Sequence, residues 1–423
     1  MKTTFLSLFL FAAMVSWAQL PDHIYKPNIH SVKLYKYGDI YSYPIINLKS
    51  AEQLELHFDD LDADIKNYYY TFQLCNADWS AAEIQPFTYI QGFQTTRINT
   101  YRYSSISQIR YTHYQAVFPD RNSTPVMSGN YILKVFRNSD TSDLYFTKRF
   151  LIVDNKVQIA TQLKQPFNSQ YYLSDQRIFI SLNTANSKIN VLSPKDIKLV
   201  VLQNNSWPTA AMVNSPTIFR GNYFEYNDDA TSFPSGREWR WIDLRSVRLM
   251  SERMDKLVDT DKTRIDVFVK PDAERKSQVY VYYRDLNGIY TIENNDGNNP
   301  YWQSDYAWVH FTYVPPGNRS YPGKNVYLYG ELTNYQPDDA SRMEFNADKG
   351  VYEKALFLKQ GYYNYSYITL DANKPVTNRF SFENTEGNFN NTENNYTVLV
   401  YYRSFGQRAD ELVGYAQMNT LPR

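Results

Sequence analysis

Four aspartates, Asp59, Asp60, Asp62 and Asp64 in "HFDDLDAD", stand close enough along the chain to share a cation. Hard cations take oxygen ligands, so the run is a candidate calcium loop. A solvated turn between strands is the simpler reading of the same residues. Asn294, Asp296 and Asn298 in "NNDGNNPYWQSD" have the alternate spacing of a calcium loop, but the twelfth position is Asp305 and not a bidentate glutamate. The five histidines, His23, His30, His57, His113 and His310, show no zinc spacing. There is no G-x-S-x-G, no phosphate-binding glycine loop and no catalytic-cysteine context. Two carboxylates brought together from distant loops would suit glycoside hydrolysis, yet no pair is singled out. The sequence therefore predicts no catalytic residue, no metal and no cofactor.

The elements that would position these groups read as strands. In "QLELHF", Leu54, Leu56 and Phe58 share one face, against Glu55 and His57 on the other. In "RIDVFVK", Ile265, Val267 and Val269 oppose Asp266, Phe268 and Lys270. In "VYVYYRDLNGIYTIEN", two such runs flank Asn287-Gly288, a strong hairpin signal. Helical periodicity is nearly absent; the best case, residues 243–258, reads equally as strand plus loop. The 39 Tyr, 24 Phe and 7 Trp suit pleated, half-buried surfaces and also interfaces. The expected class is all-β, as tandem immunoglobulin-like or early-set β-sandwiches.

Residues 1–18 read as a secretory signal peptide: Lys2, a short apolar run, then Ser16 and Ala18. The remainder carries 43 basic against 44 acidic residues, so nothing marks it for nucleic acid. No later stretch approaches the ~20 apolar residues of a spanning helix. The single cysteine, Cys75, sits in a strand-like run and reads as a small buried apolar side chain. Turn clusters near 154 and in the Pro- and Gly-rich "VPPGNRSYPGK" predict sandwiches over 19–154, 155–314 and 315–423.

Two resemblances follow from longer motifs. "VYLYGEL", Met343, "KGVYEKALFL" and "GYYNYSYITLD" resemble glycogen-binding early-set domains. That family implies sugar contacts at Tyr335, which stands where the family has Trp, and at Asn390 of the Asn390-Asn391 pair. The family's lysine is Ser366 here, its "DG" is Asp371-Ala372, and its second tryptophan falls near Lys374. The scaffold is thus expected to be retained and the sugar site depleted.

"LHFDDL" (56–61), "YYYTFQLCNADWS" (68–80), "YIQGF" (89–93), "YTHYQAVFP" (111–119), "SGNYILKVF" (128–136), "REWRWIDLRSVR" (237–248) and "DELVGY" (410–415) occur in order. Together they resemble the plug proteins of the type IX secretion system. The resemblance implies a non-enzymatic periplasmic protein at the inner face of the outer membrane, not inserted in it and monomeric when free. It would occlude the periplasmic mouth of the system's giant translocon barrel. Arg and Trp are enriched in interface hot spots, so Arg237, Trp239, Arg240 and Trp241 are interface candidates, with Tyr111 and His113. Core packing is the competing reading of the same residues. The alternative function is an exported carbohydrate-binding protein.

Overall fold

The structure, a computed structural model, describes residues 21–187, 189–373 and 381–421. The expected signal peptide and Lys374 lie outside them. The all-β class holds: the described residues build three β-sandwiches.

In the first, strands Ile29–Lys36, Leu54–Asp60, Thr112–Phe118 and Thr100–Tyr103 form one antiparallel sheet. The facing sheet holds Asp140–Val153, Gly129–Arg137 and Tyr68–Cys75. Alternation does what the sequence implies. Leu54, Leu56 and Phe58 are fully buried between the sheets, with Tyr114, Phe118, Tyr131, Phe146 and Phe150. Cys75 is buried in this unit, and burial pushes its thiol up to about 12.

The middle sandwich is not built from contiguous sequence. One sheet holds Gln158–Lys164, Asp175–Asn183 and Tyr223–Tyr226. The other joins Ile197–Gln203 to Asn395–Tyr402 and Glu411–Asn419. Val398, Val400 and Val413 from this C-terminal pair complete the core around Ile178, Ile180 and Leu199.

The third sandwich lies between those halves in sequence. Arg240–Asp243, Tyr362–Asp371 and Lys324–Tyr329 face Met254–Thr260, Arg264–Val269, Tyr306–Val314 and Val351–Lys359. The expected cut at 314 therefore needs correction. Tyr306–Val314 pairs with Val351–Lys359 across the Pro-Gly stretch, so that stretch is a loop inside one domain. A further correction concerns Asn287-Gly288. The turn forms, but residues 279–286 join no sheet and only Tyr290–Thr291 pairs. The Tyr280 hydroxyl instead donates to Glu238 Oε1, and that of Tyr283 to Trp239 O (3.1 Å). Residues 243–258 take the strand-plus-loop form.

Tyrosine dominates the cores because its hydroxyl reaches polar partners at their edges. Tyr68 donates to Asp60 (2.8 Å), Tyr131 to Met127 O (2.8 Å) and Tyr401 to Asn130 (2.7 Å).

Candidate functional site

The outward face of Leu54–Asp60 carries Glu55, His57 and Asp59, and its register places His113 beside Asp59 on Thr112–Phe118. Alternation alone would send these groups to water. Here His57, Asp59 and His113 are buried, because the third sandwich covers them. Lys359 reaches down to Asp59, and Tyr306 donates to the same carboxylate oxygen at 2.6 Å. His113 Nδ1 lies 2.7 Å from Asp59 Oδ1, and its Nε2 lies 3.0 Å from His57 Nδ1. Asp59 holds its charge: burial opposes ionisation, but Lys359 and His113 outweigh it and lower its pKa. With Asp59 ionised, His113 donates through Nδ1 and accepts at Nε2 from His57. His57 Nε2 then faces Glu55 Oε1 at 3.0 Å, without the alignment of a hydrogen bond. Burial pushes His113 down to about 4, against the pull of Asp59. Tyr111, fully buried, donates to Ser304 O (2.8 Å) and carries the Lys359 ammonium 4.2 Å over its ring. Tyr111 and His113 are thus interface residues within the chain; neither is open to a partner, which corrects the expectation for both.

A second clamp joins the same two domains. Lys33 is buried, with Nζ 2.6 Å from Glu331 Oε2 and 2.9 Å from Tyr290 O. Sequence reasoning missed Lys33, Glu331 and Lys359. A lysine or glutamate at a polar strand position reads as solvated, and only a covering domain changes that.

The "REWRW" segment forms the neck through which the chain passes from the middle sandwich into the third. Gly236 N donates to Asn388 Oδ1 (3.0 Å), and Phe389 N to Gly236 O (3.0 Å), tying the ingoing segment to the returning one. Arg240 Nε donates to Glu386 Oε1 (2.9 Å) and Nη1 to Asp272 Oδ1 (2.7 Å). Arg275 Nε adds a 2.6 Å bond to Glu386. Burial would raise the Glu386 pKa, but Arg240 and Arg275 override it and bring it down to about 2. Arg237 donates to Arg275 O (2.5 Å) and lies 4.8 Å over the Phe389 ring. Trp239 packs against Tyr329 at 5.8 Å. Arg237, Trp239 and Arg240 are all buried, so the core reading replaces the docking reading for them. Trp241 alone is half-buried, stacked on Tyr362 at 5.9 Å.

The aspartate run carries its own cation. Lys66 Nζ lies 2.6 Å from Asp60, 2.5 Å from Asp62 and 2.9 Å from Asp64. Asp296 is spent on Ser246 Oγ (2.8 Å), Val247 N (3.0 Å) and Gln360 Nε2 (2.9 Å). Asp305 accepts from Gln108 N (2.6 Å) of the first sandwich. This loop fastens domains together.

Tyr335 is buried in a cluster with Trp239 and Tyr329, leaving no ring face open to stack on a sugar. Asn390 is half-buried and donates to Tyr172 O (2.9 Å). No contact joins the two among the described residues, which corrects the expected sugar contacts.

Asn390 does adjoin segments that carry exposed apolar side chains. Its backbone N donates to Leu173 O (3.0 Å), while Tyr280 packs on Phe389 (5.5 Å) and Tyr282 lies 3.5 Å from Glu393. Segments 171–173 and 279–282 are both moored to 389–393. They present Leu173 at 78%, Val279 at 84% and Val281 at 61% exposure. Such exposed apolar side chains are candidates for an interaction surface.

Residues 29–154 match the family described as "Type 9 secretion system plug protein 1st domain". Five of the seven plug-like motifs lie within that span. Among solved structures, a hypothetical protein from Parabacteroides merdae ATCC 43184 aligns with TM-score 0.89 and 29% identity, covering 95% of this chain and 100% of that one. No curated protein matches. No helix among the described residues is long and apolar enough to cross a membrane.

Proposed function

We propose that this chain, whose residues 29–154 match the first domain of type 9 secretion system plug proteins, is a periplasmic stopper for that system's outer-membrane translocon barrel. The family match carries this reading. The action is steric and non-enzymatic: a rigid all-β body covers the periplasmic opening of the lumen. Barrels of up to 36 strands exist, so the opening is wide. Two features of the chain support the role. The buried clamps at Asp59–Lys359 and Lys33–Glu331 oppose hinging between the first and third sandwiches, which a stopper requires. Exposed Leu173, Val279 and Val281 offer apolar area to the barrel's periplasmic surface. A standard contact buries roughly 800 Å² per partner. Release during transport requires unequal affinity for two translocon states, since equal affinity shifts nothing.

The test is a pull-down of the tagged protein from detergent-solubilised outer membranes, read by mass spectrometry. Near-stoichiometric recovery of a very large barrel protein is expected. Leu173→Lys with Val281→Lys should abolish recovery and leave the thermal melt unchanged. A folded bait that recovers no barrel protein would overturn the proposal.

A further inference from the structure

Residues 279–285, "VYVYYRD", have the composition of a strand, since Val and Tyr suit pleated surfaces. They run without a turn or bend, and none has a positive φ. Yet they belong to no sheet. Their N–H groups, and the carbonyls of 280–285, have no hydrogen-bond partner among the described residues. Val279, Val281 and Tyr282 are 84%, 61% and 47% exposed, so no neighbouring strand covers the segment.

Side chains, not a ladder, hold it in place. Arg237 donates to Gln278 O (3.3 Å) and to Val279 O. The Tyr280 hydroxyl donates to Glu238 Oε1, and the Tyr283 hydroxyl accepts from Arg275 Nη1 (2.8 Å). Asp285 Oδ2 accepts from Trp239 N, and Leu286 N donates to Asn364 Oδ1 (2.6 Å). These anchors fix the course of the chain and leave its ladder groups free.

Backbone donors and acceptors of an extended chain are met by another extended chain, whose own groups repeat at the same spacing. A helix has already spent its backbone groups on itself. A straight segment with open groups is a template for strand addition, and being ordered beforehand it loses little freedom on pairing. A second copy of this chain is the poorer fit. The antiparallel register that sets Val279 of one copy against Val281 of the other also brings Lys276 of each toward Arg284 of the other. Both cations are exposed, and among the described residues neither is in an ion pair. Like charges set opposite one another are destabilising.

We propose that 279–285 is an open edge that accepts one extended strand from the translocon's periplasmic surface, with apolar side chains against Val279 and Val281. The identity of the partner rests on the stopper reading above; the mode of pairing rests on the unpaired backbone.

The test is the same pull-down with proline placed in the edge. Successive N–H groups of an extended strand point to opposite edges, so Val281→Pro and Tyr282→Pro block one edge each. Neither N–H has a partner within the chain, so both variants should melt as the wild-type protein does. One of them should lower barrel recovery about ten-fold or more. Val281→Thr and Tyr282→Phe, which keep the N–H, should not. Amide hydrogen exchange of the wild-type protein, read by mass spectrometry, should find 279–285 unprotected when free and slowed about ten-fold or more in the recovered complex. That measurement decides the matter if a proline variant fails to fold. A folded wild-type bait that recovers no barrel protein overturns the stopper reading, and this partner with it. Full recovery by both proline variants, equal loss in the threonine or phenylalanine variants, or a complex with 279–285 unprotected overturns the edge and leaves the stopper reading standing. A free protein that light scattering shows to be a dimer, with these amides protected, assigns the edge to a second copy and overturns the proposal.

Discussion

Asp59 of the first sandwich and Lys359 of the third, 300 residues apart in sequence, form an ion pair in which both side chains are 1% exposed. Burying either alone would be costly, and the pair survives because Tyr306, His113 and Tyr301 O satisfy the remaining hydrogen bonds. The first and third domains are therefore held by chemistry that fails if one partner is removed.

Lys359→Met should destabilise the protein by about 3–5 kcal/mol, since it leaves a buried carboxylate unpaired. Asp59→Asn added to it should restore part of that loss. Urea denaturation of the two single variants and the double variant measures the coupling. Independent, additive losses would show that the pair carries no clamp.

Acid should loosen the same junction. The folded pKa of His113 is about 4, against an unpaired value near 6.5. Between those values the unfolded chain binds more protons, so stability is full above pH 6.5 and falls as pH drops toward 4. The loss from this group is on the order of 3 kcal/mol. The groups facing it are Asp59, His57 and Lys359. His113→Asn keeps a donor for Asp59 and removes the titration. Its urea midpoint should fall less steeply over this window than that of the wild-type protein; identical slopes would place the titration elsewhere.

Arg240→Ala should cost about 3–5 kcal/mol, because Glu386 and Asp272 are both left buried with fewer counter-charges. Trp241→Ala, on a half-buried side chain, should cost about 1 kcal/mol. A cooperative melt that survives Arg240→Ala undiminished would return this segment to the surface.

Gly288→Ala tests the turn at the third sandwich. Gly288 has φ +85°, and a Cβ there would lie 2.7 Å from the Trp239 ring. Strain and overlap together should cost about 2–4 kcal/mol, read as a lowered melting temperature and altered tryptophan fluorescence. An unchanged spectrum would mean that the ring is not seated against this turn.

The strand pattern was legible from local chemistry. Leu54, Leu56 and Phe58 alternate because a pleated strand turns successive side chains to opposite faces, and that holds wherever the strand ends up. The plug-domain resemblance rested on motifs that lie mostly in the first sandwich.

What the sequence left open were the pairings of distant strands and the fate of polar faces. Ile197–Gln203 takes Asn395–Tyr402 as its partner across the whole third sandwich, and nothing local to either strand encodes that choice. Glu55 and His57 read as the wet side of a strand, Asp59 as part of a solvated turn, and Arg237, Trp239 and Arg240 either as core or as a contact face. Alternation tells which residues share a face. Only tertiary packing tells whether that face meets water or another domain, because burial is set by what the rest of the chain brings against it.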